Sequence, residues 1–250
     1  MQAMIFAAGL GTRLKPITDT MPKALVPVGG KPLLQWQLEK LKKAGIVDVV
    51  INLHHFPEQI RSFIKENDAF GCRVQFSDES DCLLETGGGL RKAASLFRTD
   101  EPILVLNVDV LNTLDINVLV ASYDKRDAAT LVVSERQTQR YLLFDEKGLL
   151  VGWHNKSTGE YRPIQRAEEI GALHREGGLR MLAFSGTHIV TKRIFEKMWS
   201  MPDCFPIIDY YISVCEELPI RAYIPDHFQM LDVGKLETLS EADNFVGIKK

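Results

Sequence analysis

The 250-residue chain has no uninterrupted apolar run approaching the roughly 18 to 20 residues that a bilayer crossing requires, so a membrane partner is set aside. A surplus of charge of one sign is missing too. With a formal net charge of −3, the chain lacks the massed Lys and Arg that displace counterions from a nucleic-acid backbone, which sets nucleic acid aside as well. Cysteine is scarce. Cys72, Cys82, Cys204 and Cys215 contain no Cys-x-x-Cys pair, which argues against a zinc knuckle or a dithiol redox centre and fits a reducing cytoplasm. His54 and His55 have no partner at zinc-ligand spacing and read as junction residues. There is no internal repeat, low-complexity tract or domain-separating linker. Residues 1–9 lack a basic n-region and turn to glycine after a few apolar positions, so they read as a buried first strand and not as a signal peptide.

What is present is an alternation of apolar, β-type runs with amphipathic stretches, the pattern of βαβ units around a mainly parallel sheet. Residues 33–44 form a helix by this reading: Pro32 precedes it, Leu34, Leu38 and Leu41 repeat along one face, and Gly45 ends it. Strands are expected at 47–53, 73–76 and 103–107, with helices at 57–67, 91–96 and 116–124. After residue 128 shorter strand-like runs, at 130–133, 141–144, 149–153 and 186–190, signal a mixed or antiparallel portion. Residues 156–180 are polar and poorly periodic and are expected to be a loop or lid. The tail returns to order with a helix at 208–217, a strand at 221–224 and a closing helix at 235–245. Trp36 and Trp199 read as packing residues, and Trp153 as either core or a wall of a site.

The first strand runs into Gly9-Leu10-Gly11-Thr12-Arg13-Leu14, a turn whose bare backbone can approach phosphates and present N–H donors. Two common phosphate motifs do not fit. The dinucleotide fingerprint needs glycine or alanine where Leu14 stands, and the P-loop needs a Gly-Lys-Ser/Thr step that residues 12–16 do not supply. Arg13, Lys15, Lys23 and Lys31 crowd the first thirty-one residues, where Asp19 is the sole acid. That local charge suits a small polyanion.

The longer pattern is more specific. Gly9-x-Gly-Thr-Arg-Leu-x-Pro-x-Thr18, then Pro22-Lys-x-Leu-x-Pro-Val28, then Gly30-Lys-Pro32 resembles the N-terminal signature of the sugar-nucleotide pyrophosphorylases, with order, spacing and charged positions intact. The resemblance implies a nucleotide site built from Ala7, Ala8, Gly9, Gly11, Thr12, Arg13 and Lys23. Arg13 and Lys23 would be catalytic there, offsetting charge as a phosphate oxygen attacks the α-phosphorus of a triphosphate. Residues 84–90, Leu-Glu-Thr-Gly-Gly-Gly-Leu, stand where the family carries an L-G-T-A-G-A-L-like segment that holds the base through backbone groups. Thr86, Gly87 and Gly88 are the matching positions. Glu85 departs from the family's glycine and is similar to the E-T-G-G-G of N-acetylmuramate 1-phosphate uridylyltransferases.

Asp109 ends the apolar strand at 103–107, where open α/β sheets gather their ligands, and Leu231-Asp232-Val233-Gly234 matches the family's late D-x-G step. The resemblance makes Asp109 and Asp232 ligands of Mg²⁺, a cation that needs only one or two carboxylates beside substrate phosphates. On the acceptor side it implicates Asn107, Asn155, Lys156 and Gly186; Asn155 and Ser157 replace the Glu and Pro that flank the family's lysine.

The resemblance therefore implies an α/β, Rossmann-like three-layer α/β/α nucleotidyltransferase fold with a mainly parallel mixed central sheet. Residues 1–250 form a single domain by this reading, with 1–128 as the nucleotide-binding half and 129–250 as the sugar-phosphate-binding half. A soluble cytoplasmic enzyme would join a nucleoside triphosphate to a sugar 1-phosphate and release pyrophosphate. UTP with N-acetylmuramate 1-phosphate is the first expected pair and GTP with mannose 1-phosphate the second; a homo-oligomer is left open. The chain stops soon after the family's catalytic domain, so acetyl transfer by an appended β-helix is not expected. Two other classes remain. One is a non-catalytic nucleotide-sugar-binding regulatory protein, and the other a metal-dependent glycosyltransferase that reads Asn107-Val108-Asp109 as its metal motif.

Overall fold

The first strand explains the architecture. In β1 (Gln2–Phe6) every residue is buried, with Ala3 and Ile5 facing one apolar core and Met4 and Phe6 facing another. A strand covered on both faces needs no polar alternation, which is why it reads as a continuous apolar run. In the computed structural model, which describes residues 1–98 and 100–247, the main sheet continues with β2 (Asp48–Leu53), β3 (Arg73–Asp78), β4 (Ile103–Asn107), β5 (Ala129–Ser134), β6 (Arg140–Phe144), β7 (Leu150–Asn155), β8 (Glu160–Arg162), β9 (Arg180–Val190) and β10 (Ile220–Tyr223). Its order is β8-β7-β6-β9-β4-β1-β2-β3, with β5 beside β9 and β10 beside β5. The strands β4, β1, β2 and β3 are parallel. β9 pairs antiparallel with β4, β5 and β6. Two short ladders, Val110–Asn112 with Met230–Asp232 and Pro27–Val28 with Lys31–Pro32, lie apart from it.

Helices cover both faces. One core gathers the buried side of α1 (Leu33–Lys43) and α2 (Pro57–Glu66); the other gathers α3 (Glu85–Ala93) and α6 (Ile207–Val214). α4 (Ile116–Ser122) begins on Asp115, whose carboxylate accepts from the N–H groups of Asn117 and Val118. α7 (Leu236–Gly247) ends the described chain. Among the described residues no helix is long and apolar enough to cross a membrane.

Two expectations need correction. Residues 156–180 are not a loop: they hold β8 and α5 (Ala167–Arg175). Ile170 of α5 is fully buried and packs over Gly152, and the Tyr161 hydroxyl meets His174 Nδ1 at 2.9 Å. One large buried apolar side chain, with Leu173 left exposed, gives too weak a period to read. Trp199 is not a packing residue; it is 68% exposed, with the Arg91 guanidinium 5.9 Å from its ring. Trp153, by contrast, is buried in the core with Arg162 stacked on it.

A buried polar network ties the carboxyl ends of the parallel strands together. The Asn52 side chain accepts from Ala7 N at 2.7 Å and donates to Glu79 Oε1 at 2.8 Å, while Glu79 Oε2 accepts from Leu84 N at 3.3 Å. Glu79 is fully buried. Loss of hydration raises its pKa above the usual 4.5, against the opposing pull of the bonds from Asn52 and Leu84.

Two measurements follow from this packing. Ile170→Ala should lower the free energy of unfolding by about 2 to 4 kcal/mol in urea titrations; a loss near zero would contradict an anchored α5. The folded protein holds the Glu79 proton to higher pH than the unfolded chain does, so ionisation of this group lowers stability as pH rises through its folded pKa. Relative to wild type, Glu79→Gln should therefore gain in urea midpoint as pH is raised from about 4.5 towards 7. Parallel pH profiles for the two proteins would refute this.

Candidate active site

Parallel strands deliver their carboxyl ends to one edge, and the chain there leaves β1 through residues 7–11. Gly11 sits at φ +64°, a conformation that favours glycine. A Cβ on it would also lie 2.9 Å from Thr18 Cγ2 and 3.1 Å from Lys23 Cβ. The Thr18 hydroxyl and Leu14 N–H both donate to Gly11 O, at 2.8 Å each. The turn is thereby folded back on itself, which brings Lys23 beside it.

Asp109 is fixed from three directions. The buried side chain of Gln37, on α1, donates to the carbonyl oxygens of Val108 and Val110 at 3.4 and 3.0 Å, and Val108 N donates to Phe6 O at 3.1 Å. The third tie comes from the far end of the chain: Val233 N donates to Asp109 O at 2.8 Å, and Asp232 pairs with Val110 in the short ladder. Two carboxylates separated by 123 positions in sequence thus become neighbours.

Asp232 is accessible to water, yet the protein atoms around its carboxyl and then the charge of Asp109 push its pKa above the ordinary value, while Lys23, Arg13 and Arg136 pull it back. Lys23, almost fully buried, forms an ion pair with Asp109. Gly234 completes the cradle, since a Cβ there would fall 2.8 Å from Asp232 Oδ1 and 2.9 Å from Arg13 Nη2. Among the described residues no group of three or more His, Cys, Asp and Glu side chains converges on a metal position. The donor set is two carboxylates, hard oxygen ligands that suit Mg²⁺ when phosphates supply the remaining ligands.

A cleft of about 350 Å³ lies over this arrangement, lined by Ala7, Gly9, Gly11, Thr12, Arg13, Lys23, Thr86, Asn107 and Asp109, together with Phe6, Leu10, Leu83, Val108 and Gly234. Ala8 is buried within the same turn. Gly186 packs on the wall, where its Cβ would come within 2.6 Å of Asn107 Nδ2. Not every sequence candidate reaches the cleft. Asn155 turns onto Ser157, accepting from its N–H and hydroxyl. Lys156 lines a separate cavity with Gln137, Thr138 and Gln139.

The glycine cluster departs from expectation as well. It is no loop before a helix at 91–96; Gly87, Gly88 and Gly89 lie inside α3 itself. Gly87 N and Gly88 N both donate to Phe205 O, at 2.8 and 3.2 Å, so neither offers a free N–H to a base. Thr86 alone of the three lines the cleft, its hydroxyl accepting from Ile207 N at 2.9 Å. His54 and His55 are junction residues, bonded to the carbonyl oxygens of Glu79 and Thr18. Gln37, Glu79 and Arg136 were not singled out from the sequence, because nothing in a local pattern shows what a polar side chain will meet.

Residues 2–142 match the family model described as Nucleotidyl transferase. Over 115 residues the chain is 44% identical to N-acetylmuramate alpha-1-phosphate uridylyltransferase of Neisseria meningitidis serogroup B, covering 46% of this chain and 49% of that protein. Over 240 residues it is 35% identical to mannose-1-phosphate guanyltransferase of Aspergillus fumigatus, covering 94% of this chain and 61% of that one. The matched stretches thus span less than two thirds of these relatives' own length. UDP-glucose pyrophosphorylase complexed with UDP-glucose superposes with a TM-score of 0.77 at 22% identity, covering all of both chains. HddC from Yersinia pseudotuberculosis does so with 0.75 at 23% identity, covering 98% of this chain and 99% of that one; these two likenesses establish the fold. The family match takes in the glycine turn, Lys23 and Asp109 and runs over more than half of the sequence, so this chain belongs to the Nucleotidyl transferase family.

Proposed function

We propose that the protein transfers a nucleotidyl group from a nucleoside triphosphate to a sugar 1-phosphate and releases pyrophosphate. The observation that carries this reading is that Arg13, Lys23 and Asp109 line one cleft, with Asp232 brought beside it by the ladder to Val110 and by Gly234, which lies between its carboxylate and Arg13. A phosphate oxygen of the acceptor forms a bond to the α-phosphorus, and the bond from that phosphorus to the β-phosphate oxygen breaks, so the electron pair leaves with pyrophosphate. The attacking oxygen is already ionised near neutral pH, so no general base is needed. Arg13, exposed above the turn, offers a fork of donors to non-bridging oxygens, and Lys23 offers a fixed point charge deeper in the cleft. Asp109 and Asp232 would hold Mg²⁺, which when bound neutralises phosphate charge.

The curated relatives support the choice of substrates. UTP with N-acetylmuramate 1-phosphate is the first pair, in line with the name of the relative that is 44% identical over 115 residues, and GTP with mannose 1-phosphate is the second. A cytoplasmic setting and a role in supplying activated sugars for cell-envelope polysaccharide belong to the same proposal.

A matrix of nucleoside triphosphates against sugar 1-phosphates, scored by Mg²⁺-dependent release of pyrophosphate, tests it. One pair should dominate, and Asp109→Asn or Asp232→Asn should each lower its kcat by about 10²- to 10³-fold while the circular dichroism spectrum is unchanged. Absence of pyrophosphate from every pair, or wild-type rates in both variants, would sink the reading. Release of a nucleoside diphosphate from a sugar nucleotide would establish the glycosyltransferase instead.

A further inference from the structure

Arg136 lies two residues beyond the end of β5, in the turn that leads to β6. β5 and β4 both pair antiparallel with β9 and therefore run in the same direction. The turn after β5 consequently emerges at the sheet edge that also carries Asn107 and Asp109. β9 bulges at this level, its register shifting between Phe184 and His188, and Gly186 inside the bulge rests against Asn107. Arg136 Nη2 donates to Phe184 O, at the start of the bulge, at 3.0 Å. Among the described residues that is the one hydrogen bond the guanidinium makes, and it forms no ion pair. Most of the donors of its planar fork are thus unengaged, on an exposed side chain beside the cleft.

The charge balance of the reaction calls for such a group. A triphosphate brings about four negative charges and the acceptor phosphate about two more. Arg13 and Lys23 both come from the N-terminal segment, and Lys23 is already paired with Asp109. Lys156 lines a separate cavity with residues 137–139. On the β5–β9 side Arg180 is paired with Glu135, which leaves Arg136, bonded to the β9 bulge whose Gly186 rests on the cleft-lining Asn107, as the basic side chain with unengaged donors.

We propose that Arg136 grips the phosphate of the acceptor sugar 1-phosphate through two guanidinium N–H groups, orienting one oxygen towards the α-phosphorus. This rests on the nucleotidyl-transfer reading above and adds to it the residue by which the enzyme demands a phosphorylated acceptor. A guanidinium is suited to the task because its fork matches two phosphate oxygens, whereas an ammonium offers a point charge without that geometry.

Calorimetric titration of the full-length protein, with Mg²⁺ and a non-hydrolysable triphosphate analogue present, tests the assignment with N-acetylmuramate 1-phosphate and mannose 1-phosphate as probes. Arg136→Gln should weaken the sugar phosphate that the wild type binds by about 10- to 100-fold, leave affinity for the triphosphate analogue unchanged, and raise KM for the acceptor without raising KM for the nucleotide. Arg136→Lys should recover part of the loss. Wild-type affinity for the sugar phosphate in Arg136→Gln overturns the proposal, as does equal weakening of both ligands or a wild type that binds neither probe. Arg136-dependent binding in a protein that releases no pyrophosphate from any pair upholds the phosphate site and sinks the reaction.

Discussion

The amide of Val233 donates to the carbonyl oxygen of Asp109, and through that contact the last part of the chain is stitched to the end of β4. Everything at the cleft depends on it, because it sets two carboxylates side by side where each would otherwise repel the other. Such a pair is stable in a crowded site only when positive groups face it. The protein provides Lys23 directly on Asp109, with Arg13 and Arg136 near Asp232. The same cations that offset the two carboxylates are the ones that a polyphosphate would meet. Stability and chemistry therefore draw on one set of charges.

Behind that surface lies a layer of buried amides and one buried acid. Gln37 reaches from α1 to hold both sides of Asp109, and Asn52 with Glu79 joins the ends of β1, β2 and β3 to the start of α3. These groups meet the cleft lining through main-chain atoms of Ala7 and Val108. Their work is to fix the backbone from which Ala7, Leu83 and Asp109 project, so that the site inherits the rigidity of the sheet instead of the mobility of its loops.

How much of this was legible follows from what each element needs. β1 and β4 were plain in the sequence because strands buried on both faces read as apolar runs, and α1 because its leucines keep a helical period. The glycine turn, Lys23, Asp109 and Asp232 stood out through the family resemblance, and the fold brings them near one another. The start of α3 is not legible: three glycines look like a loop, but Phe205, Asp203 and Glu79 crowd the places where side chains on Gly87, Gly88 and Gly89 would stand, and the Phe205 carbonyl takes the N–H groups of Gly87 and Gly88. Lys156 matched a motif position whose flanking residues differ, and it lies on another cavity. Gln37, Glu79 and Arg136 were invisible for a common reason. Each is a polar residue whose partner is distant in sequence, and no local period encodes a long-range hydrogen bond.

β9 has eleven residues and belongs to two neighbourhoods at once. Its last residues are laddered to β4, beside the glycine turn, and its first residues to β6, which leads through β7 to Lys156. A single strand spanning both sides acts as a splint: the parallel and antiparallel portions cannot swing apart as two jaws without tearing the main-chain ladders on either side of it. Opening and closing around substrates must then fall to the rim, to the turns after β1, β5 and β7, which would move against a floor that stays put.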